Sequence, residues 1–445
     1  MKVMIVGGGV SGLAAAFEAL KRGHEVTLCE PHEIGGMIAT RHVEGFTLED
    51  GPNVLLERAT IAQLIDEIGL RDRVLYPSVQ PYEQYVWYRG RPHLVPKTIP
   101  QFLKSSLFSK SRKVVLPFSL VRPSLLTSPD EDESVLTFFS RLLGEHSTYA
   151  VLDPVLKGIY GGDVSKLSAR TLFPKLWEAG KEGGSLFSYM RSKGSAGTPK
   201  VFTIKGGIAT LTQAMWEKLK DKVCLVRAPA TSIVALAQQG EGRYRLTWGD
   251  GSTVDADRVI VSLSGNRLAA ILEGLHSKVA QAVGSVEYAS LAMAHVAVPD
   301  AEITLRKAFG VLFPGGMKGH LLGVMFKSIV FPDVAPPGRQ LLSVVVGGAQ
   351  AKGFRPSEQE LQSSVPELVR EHLGVRAPMQ WLGARVWCGA IPQLQVGHHR
   401  VVEAIDDFER AVPGVAVCGV DRGGVGVSDR IAAGIAAVAR VVESS

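Results

Sequence analysis

Hydrophobic positions follow two different periods at the start of the chain. Residues 3–6 form a short apolar run, which predicts a buried strand, and the stretch from Gly7 to about Arg22 has a glycine-rich opening followed by the apolar spacing of a helix. A further apolar run at 26–30 predicts a second strand. The N-terminal segment therefore predicts a β-α-β unit.

The middle of the chain has the most unusual local composition. From Gln84 to Pro129 there are eight lysines and arginines but neither aspartate nor glutamate, and apolar residues and prolines lie between the cations. An acidic break follows at 130–133. Residues 134–190 have mostly helical spacing, interrupted at Gly158–Gly162. The sequence predicts a helical insertion here.

The second half returns to strand and helix patterns. Residues 201–263 resemble the start of the chain, whereas 286–348 are rich in strand patterns and precede a predicted helix near 357–373. This region is expected to form a second, largely antiparallel domain. A strand at 415–419 and a helix at 429–443 then close the chain, as the last β-α unit of the first domain would.

Composition limits the class of protein. A chain of 445 residues suits two or three domains, and 46% hydrophobic and 21% charged residues are typical of a globular protein. The 48 glycines indicate many tight turns or close backbone approaches to a ligand. The net charge of +6 favours an anionic partner, but it does not distinguish nucleic acid, lipid and substrate.

Cysteine usage and hydropathy suggest a cellular context. Cys29, Cys224, Cys388 and Cys418 are far apart, so neither a zinc site nor a disulfide framework is indicated, and a reducing cytoplasm fits. No uncharged apolar run approaches the ~20 residues of a membrane-spanning helix. Any membrane contact is therefore expected from one face of the protein.

Two neighbouring glycine motifs predict a dinucleotide site. The pattern Gly7-x-Gly9-x-x-Gly12 lies between strand and helix, where backbone N–H groups and the helix N-terminus can meet a pyrophosphate. Glu30 ends the second strand, where a carboxylate can accept hydrogen bonds from ribose hydroxyls. Gly35-Gly36 extends the motif to the arrangement of FAD enzymes. The alternative is that these glycines only make turns.

A third glycine loop lies about 400 residues further on, at Gly419–Val427, directly before the last helix. It would bring a second helix N-terminus to an electron-rich part of the cofactor. Two glycine loops so far apart in sequence are explained if they bind the two ends of an extended FAD. The alternative is that the second loop only precedes a helix and binds no ligand.

The whole chain resembles the FAD-dependent protoporphyrinogen and coproporphyrinogen oxidases of the monoamine-oxidase-like flavoprotein superfamily. Gly7–Gly12 and Asp50–Asn53 are signals of the superfamily, whereas Lys157–Asp163 and Ile391–Gln393 are more specific. The other segments that carry the resemblance are Leu167-Ser168, Phe173-Pro174, Lys205–Gly207, Gly397-His398 and Gly424–Asp429.

The resemblance implies an α/β fold with a Rossmann-like FAD-binding domain, an antiparallel-sheet substrate domain and a helical membrane-binding insertion. The expected divisions are the FAD-binding domain at 1–83, 201–285 and 399–445, the insertion at 84–200 and the substrate domain at 286–398.

The resemblance also implies site residues. The expected FAD contacts are Gly7, Gly8, Gly9, Val10, Ser11, Gly12, Glu30, Gly35, Gly36, Met37, Gly51, Pro52, Asn53, Val54, Thr231, Val425, Gly426 and Val427. Gly162, Leu312 and Val345 would line the substrate pocket, the last two against the faces of a tetrapyrrole; a place in the strand core is the alternative for both. Neither a catalytic acid or base nor a metal site is assigned.

The implied reaction is oxidation of protoporphyrinogen IX to protoporphyrin IX in three two-electron steps, with molecular oxygen as acceptor, for haem biosynthesis. Coproporphyrinogen III is the alternative substrate. An amine oxidase, a carotenoid desaturase and a flavin-binding homologue without turnover are the other readings. The physiological acceptor and the oligomeric state stay open, with a homodimer as one option.

The basic segment 84–129 lies where this family has its membrane-binding insertion. Cations beside anionic lipid and one apolar face favour reversible binding from the cytoplasmic side. A solvated basic surface is the alternative, and a full FAD fold argues against nucleic acid.

Three positions depart from the family. Glu83-Gln84 stands where an arginine often pairs with a substrate propionate, Leu394 replaces a tyrosine, and Arg430 replaces a cysteine. None of the three is expected to belong to the flavin contacts, and all three bear on substrate choice.

Overall fold

The computed structural model describes residues 1–111, 113–114, 131–192, 200–236 and 243–443. Its α-helices are α1 (Val10–Lys21), α2 (Ala59–Glu67), α3 (Ile99–Lys104), α4 (Val135–Leu143), α5 (Glu145–Tyr160), α6 (Ala169–Leu172), α7 (Pro174–Lys181), α8 (Leu186–Ser192), α9 (Ala209–Leu219), α10 (Gly265–Leu272), α11 (Ser277–Gly284), α12 (Lys327–Val330), α13 (Glu358–Leu373), α14 (His399–Ala411) and α15 (Val427–Val442).

The strands belong to five sheets. They are β1 (Lys2–Val6), β2 (Glu25–Cys29), β3 (Thr40–Val43), β4 (Phe46–Glu49), β5 (Leu55–Leu56), β6 (Val74–Leu75), β7 (Glu83–Tyr88), β8 (Arg91–Leu94), β9 (Val201–Ile204), β10 (Cys224–Val226), β11 (Ala230–Leu236), β12 (Arg243–Trp248), β13 (Thr253–Ala256), β14 (Arg258–Val261), β15 (Tyr288–Pro299), β16 (Ala308–Leu312), β17 (Leu321–Phe326), β18 (Arg339–Gly347), β19 (Gln380–Pro392) and β20 (Val415–Val417).

A five-stranded parallel sheet forms the first domain, in the order β10-β2-β1-β14-β20. Its central strands are apolar on both faces because helices cover both sides. Helices α1, α9 and α15 pack on one face, and α10, α11 and α14 pack on the other. The predicted β-α-β unit and the closing β-α unit are therefore confirmed.

A seven-stranded sheet forms the second domain, in the order β19-β15-β18-β17-β16-β7-β8. Neighbouring strands are antiparallel except for β16 and β7. One face carries the aliphatic core under α13, with Val311, Val344 and Val346 fully or almost fully buried. The opposite face is therefore the one available to a ligand.

The start of the insertion differs from its predicted position. Residues 83–94 form β7 and β8 and extend the second sheet, so they are strands of that sheet and not part of a helical segment from residue 84. The sequence could not indicate this because the partner strand β16 lies more than 200 residues away. The described helices of the region are α3 to α8, and Arg112 and residues 115–130 of the basic segment lie outside the described residues.

The remaining strands form small sheets around these two. β11, β12 and β13 make an antiparallel sheet, β3 and β4 a hairpin, and β9 pairs with both β5 and β6. Among the residues that the structure describes, every helix is too short or too polar to cross a bilayer.

Candidate functional site: a cofactor cleft between the two sheets

The first glycine loop is a tight backbone turn between β1 and α1. Gly7 has a φ of 107°, and a Cβ on Gly12 would lie only 1.8 Å from the Gly7 carbonyl oxygen. A Cβ on Gly9, by contrast, would meet no atom of the described part of the chain within 4 Å. The loop therefore leaves open space in front of the α1 N-terminus, where a pyrophosphate can approach.

Glu30 and the second pair of glycines lie against this loop. The Glu30 carboxylate accepts hydrogen bonds from the Gly8 N–H at 2.8 Å and from the His32 N–H at 2.9 Å. The Gly35 N–H donates to the Gly8 carbonyl at 2.9 Å, and a Cβ on Gly36 would lie 3.2 Å from the Gly9 Cα. The structure thus brings these predicted cofactor residues together.

The loop after β4 packs beside the two glycine segments and extends the surface that they form. A Cβ on Gly51 would lie 2.1 Å from the carbonyl oxygen of Met37, so this loop packs directly against the segment that follows Gly36. The Asn53 amide nitrogen is 3.4 Å from the Gly51 carbonyl, and its buried Oδ1 has no hydrogen-bond partner among the described residues. An unpartnered buried acceptor fits a loop that contacts a ligand. Pro52 and Val54 lie in this loop.

The C-terminal glycine loop meets the first one at the same edge of the parallel sheet. Gly7 follows β1 and Gly419 follows β20, and Cβ atoms on them would lie 2.7 Å and 2.1 Å from the carbonyl oxygens of Ser262 and Leu263, which follow the intervening strand β14. Ligands of open α/β sheets bind at this carboxyl edge. Val427 is the first residue of α15, Gly426 is its N-cap, and Val425 precedes them.

A buried polar cluster anchors the loop that begins at Asp50. Asp50 is fully buried, and the Arg41 guanidinium donates to its carboxylate at 2.8 Å. His295 Nε2 is 3.3 Å from the same carboxylate, and His295 Nδ1 is 3.1 Å from the Ser343 hydroxyl. Burial alone would raise the pKa of Asp50, but the hydrogen bonds from Arg41 and His295 outweigh it and lower this pKa to about 2.

A second buried pair lies one residue earlier. Lys327 Nζ is 3.1 Å from Glu49 Oε1, and both side chains are almost completely buried. Glu49 also accepts from the Ile208 N–H at 2.9 Å and the Thr40 hydroxyl at 2.6 Å. Burial lowers the pKa of Lys327 despite this carboxylate. Within each pair the two opposite charges compensate each other. Together the two pairs fix β4 and the start of the loop that follows it.

The predicted substrate residues Leu312 and Val345 share one face of the second sheet. Leu312 pairs with Gly323, Gly323 with Val345, and Val345 with Met293, and residues paired in this way point to the same face. Leu312 and Val345 are only half-buried although they lie on inner strands. The Met293 sulfur is 3.9 Å from the Asn53 amide nitrogen, so this face adjoins the proposed cofactor wall.

Gly162 lies just beyond the end of α5, and this helix packs on that sheet. A Cβ on Gly158 would lie 2.7 Å from Leu312 Cδ2. A Cβ on Gly162 would meet Gln393 Oε1 at 3.0 Å, and the Gln393 amide donates to the Tyr160 carbonyl at 2.9 Å. Two sequence segments far apart along the chain, around Gly162 and Gln393, therefore meet here.

The predicted cofactor residue Thr231 takes part in none of these contacts. It is exposed on β11, in a separate small sheet, and its hydroxyl donates to the Thr247 carbonyl at 3.1 Å. Its role stays a prediction.

Sequence reasoning missed His295, Lys327, Arg41 and Met293. The available signal for His295 was a histidine inside the largely apolar strand Tyr288–Pro299. Among the described residues, no group of three or more His, Cys, Asp or Glu side chains is placed to hold a metal ion.

Comparison with known proteins agrees with this geometry. The chain is 30% identical over 439 residues to "Protoporphyrinogen oxidase 1, chloroplastic" of Arabidopsis thaliana, which covers 90% of this chain and 80% of the relative. It is 28% identical over 461 residues to "Coproporphyrinogen III oxidase" of Bacillus subtilis, covering 98% and 97%. In both cases the alignment covers most of this chain and most of the relative.

A solved structure shows the same fold. It belongs to an Exiguobacterium protein proposed to be a protoporphyrinogen oxidase, which superposes with a TM-score of 0.81 at 22% identity, covering 98% of this chain and 97% of that one. The family model described as flavin containing amine oxidoreductase matches residues 10–442. The chain therefore belongs to the flavin containing amine oxidoreductases and is a flavoprotein with FAD as its cofactor.

Proposed function

We propose that this flavoenzyme oxidises protoporphyrinogen IX to protoporphyrin IX in three two-electron steps, with molecular oxygen as the acceptor. The observation that carries the proposal is the half-exposed apolar face of Leu312 and Val345, which continues through Met293 to the cofactor loop at Asn53. A flat, largely apolar macrocycle fits such a wall. The names of the relatives from Arabidopsis and Bacillus favour the same class of substrate.

The chain's own residues would act mainly by binding and orientation. The redox chemistry would come from bound FAD, with a hydride lost from a meso carbon of the substrate and a proton lost from a pyrrole nitrogen. Gly7–Gly12, Glu30 and the loops at Gly51–Val54 and Val425–Val427 would hold the cofactor. Leu312 and Val345 would hold the macrocycle and exclude water, because a reacting carbon has to lie ~3–3.5 Å from the flavin. No residue of the protein is assigned as the base that accepts this proton.

Arg385 is a candidate partner for a substrate propionate. It pairs with Met293 in the second sheet and therefore shares the face of Val345 and Leu312. Its guanidinium lies 4.4 Å from the centre of the Trp387 ring, and it has no ion pair among the described residues. A free cation on this face favours a substrate with propionates, including coproporphyrinogen III as the second candidate.

The described part of the basic segment supports reversible membrane binding from the cytoplasmic side. Ile99 and Leu103 are four residues apart on α3 and are 77% and 57% exposed, with Lys97 and Lys104 beside them. Apolar side chains on one helix face together with cations suit an anionic bilayer surface. This arrangement would bring the enzyme to an apolar substrate dissolved in lipid.

Two variants test catalysis and membrane binding separately. Leu312→Ala is expected to lower kcat/KM for protoporphyrinogen IX about tenfold, because one buried leucine contact contributes roughly 1.5–3 kcal/mol. FAD content and vesicle binding should not change. The combined change Ile99→Glu and Leu103→Glu should abolish sedimentation with vesicles containing phosphatidylserine and leave kcat/KM without lipid intact. Porphyrin fluorescence and hydrogen peroxide release measure turnover.

The opposite pattern would contradict these assignments. If Leu312→Ala left kcat/KM unchanged, the apolar face would not be the substrate wall. If the double α3 variant still bound vesicles, α3 would be a solvated basic surface. If the wild-type protein formed neither porphyrin nor peroxide, the proposed reaction would fail as a whole.

A further inference from the structure

Arg430 is a buried cation beneath the C-terminal glycine loop. It lies on the first turn of α15 and is only 7% exposed. Its guanidinium donates to the carbonyl oxygens of Cys418 at 3.2 Å and Gly419 at 2.5 Å, and also to the carbonyl of Gly423. One side chain therefore holds both ends of the turn that leads to Val425–Val427.

The charge of Arg430 has no ionic partner in the described part of the chain. None of the ion pairs there includes it. The neighbouring Asp429 pairs with Arg58 at 2.5 Å. Asp421, in the same loop, accepts from the Tyr288 hydroxyl and from the Gly265 N–H at 3.3 Å. Backbone carbonyl dipoles are thus the hydrogen-bond partners of this cation.

Loss of a proton does not remove this charge at neutral pH. Burial lowers the pKa of Arg430, but a guanidinium starts from such a high pKa that it stays charged near neutral pH. The adjacent Cys418 thiol does not compensate, because burial raises its pKa to about 11 and keeps it neutral. A buried positive charge therefore persists under the loop.

We propose that Arg430 is a positioning residue for this loop and also a fixed positive charge that stabilises the reduced, anionic form of the bound flavin. The inference rests on the FAD cofactor and on the proposed contact of Val425–Val427 with it. Electrostatic interactions are strong in a buried environment, so a cation here favours negative charge on the cofactor. The α15 N-terminus, which carries partial positive charge, acts in the same direction.

Two substitutions separate the charge from the positioning. Arg430→Lys keeps the charge but has a different donor geometry, and Arg430→Gln keeps amide donors for the carbonyls but removes the charge. The measured quantity is the reduction potential of the bound flavin, obtained by equilibration with reference dyes, together with the Kd of oxidised FAD. No porphyrinogen is present, so the result does not depend on the proposed reaction.

The charge role predicts that Arg430→Gln weakens the preference for reduced over oxidised flavin about tenfold, which corresponds to about 30 mV for a two-electron couple. Arg430→Lys should keep the wild-type potential and lose only affinity for FAD. If Gln and Lys variants both keep the wild-type potential, or both shift it equally, the proposal is overturned.

The wild-type holoenzyme gives a second test that needs no variant to fold. Photoreduction at a pH below the pKa of free reduced flavin should give the absorbance spectrum of the anionic reduced form. A spectrum of the neutral reduced form under these conditions would overturn the proposal.

Discussion

The two loops that are proposed to close on the flavin are anchored by opposite kinds of chemistry. The loop that begins at Asp50 stands on compensated pairs, in which Arg41 faces Asp50 and Lys327 faces Glu49. The C-terminal loop stands on Arg430, which donates to backbone carbonyls. The first arrangement fixes a position through paired opposite charges, and the second fixes a position through a buried cation whose hydrogen-bond partners are backbone carbonyls.

The difference indicates how one cofactor site can be rigid and can also favour one charge state of the flavin. A buried carboxylate requires a charged or hydrogen-bonding partner. Removing one member of a buried pair therefore lowers the free energy of unfolding, because the other charge stays buried without a partner. A guanidinium that binds carbonyl oxygens is satisfied by the backbone. Substitutions in the two loops should therefore differ in what they change: stability in the first loop, and flavin energetics in the second.

Asp50→Ala is expected to have the largest effect on stability. It leaves His295 without the acceptor of its Nε2–H and Arg41 without its carboxylate, and losing one partner of a buried pair costs about 3–5 kcal/mol. Urea denaturation of the apoprotein measures the free energy of unfolding. Asp66→Ala is the control, since it removes an exposed ion pair with Arg71 and should change little. Equal effects of both variants would contradict the anchoring role of Asp50.

Lys327→Met is expected to cost about 3 kcal/mol, because it leaves the Glu49 carboxylate buried without its cation. The double variant Glu49→Gln with Lys327→Met removes both charges and should recover most of the loss. Denaturant midpoints of the single and double variants measure this recovery. A double variant as unstable as the single one would show that the pair is not the source of the effect.

His295 should make stability depend on pH. Burial lowers the pKa of His295 despite Asp50, so the unfolded chain takes up a proton below about pH 6.5 while the folded chain resists it. This stabilising contribution is complete above that pH and is lost as the pH falls, by up to about 1.4 kcal/mol per pH unit. The other charged groups that affect His295 are Asp50, Arg41 and Lys327.

The test of this pH dependence is a comparison with His295→Gln, which cannot take up the proton. Between pH 6.5 and 5.5 the wild-type protein should lose about 1 kcal/mol more than the variant. Thermal unfolding across this range measures the difference. Parallel curves for the two proteins would mean that His295 is already protonated in the folded state.

Arg58→Ala should have the smallest effect. It removes the outer ion pair of the C-terminal loop with Asp429, in which Arg58 is half-exposed, and such pairs contribute about 0.5 kcal/mol. The flavin potential should stay at the wild-type value, in contrast to Arg430→Gln. A shift of the potential in Arg58→Ala would remove the distinction between the inner and outer cations of this loop.

The parts of the molecule that could be predicted from sequence are those with local partners. A Cβ on Gly12 would clash with the Gly7 carbonyl, and the Glu30 carboxylate accepts a hydrogen bond from the Gly8 N–H. The motif and the contacts that shape it therefore lie within one β-α-β unit. The predicted helix near 357–373 is α13 for the same reason, since a Ser357 and Glu360 capping box fixes its start.

The parts that could not be predicted depend on distant partners. His295 occupies an apolar strand, and its carboxylate partner Asp50 is 245 residues away. Strands β7 and β8 lie at the start of the basic segment that favoured an insertion, but they add to the edge of a sheet whose other strands come much later in the chain. Charge and apolar spacing do not specify such partners, so the buried pairs and the edge strands appear only in three dimensions.

The most direct test of the central claim is anaerobic stopped-flow mixing of the FAD-loaded protein with protoporphyrinogen IX and, separately, coproporphyrinogen III. The proposed reaction predicts rapid bleaching of the long-wavelength flavin band by protoporphyrinogen IX, with porphyrin absorbance appearing fully once oxygen is admitted. Faster bleaching by coproporphyrinogen III would reassign the substrate within the same reaction class. A flavin that stays oxidised with both compounds would contradict the proposed function while leaving the FAD fold intact.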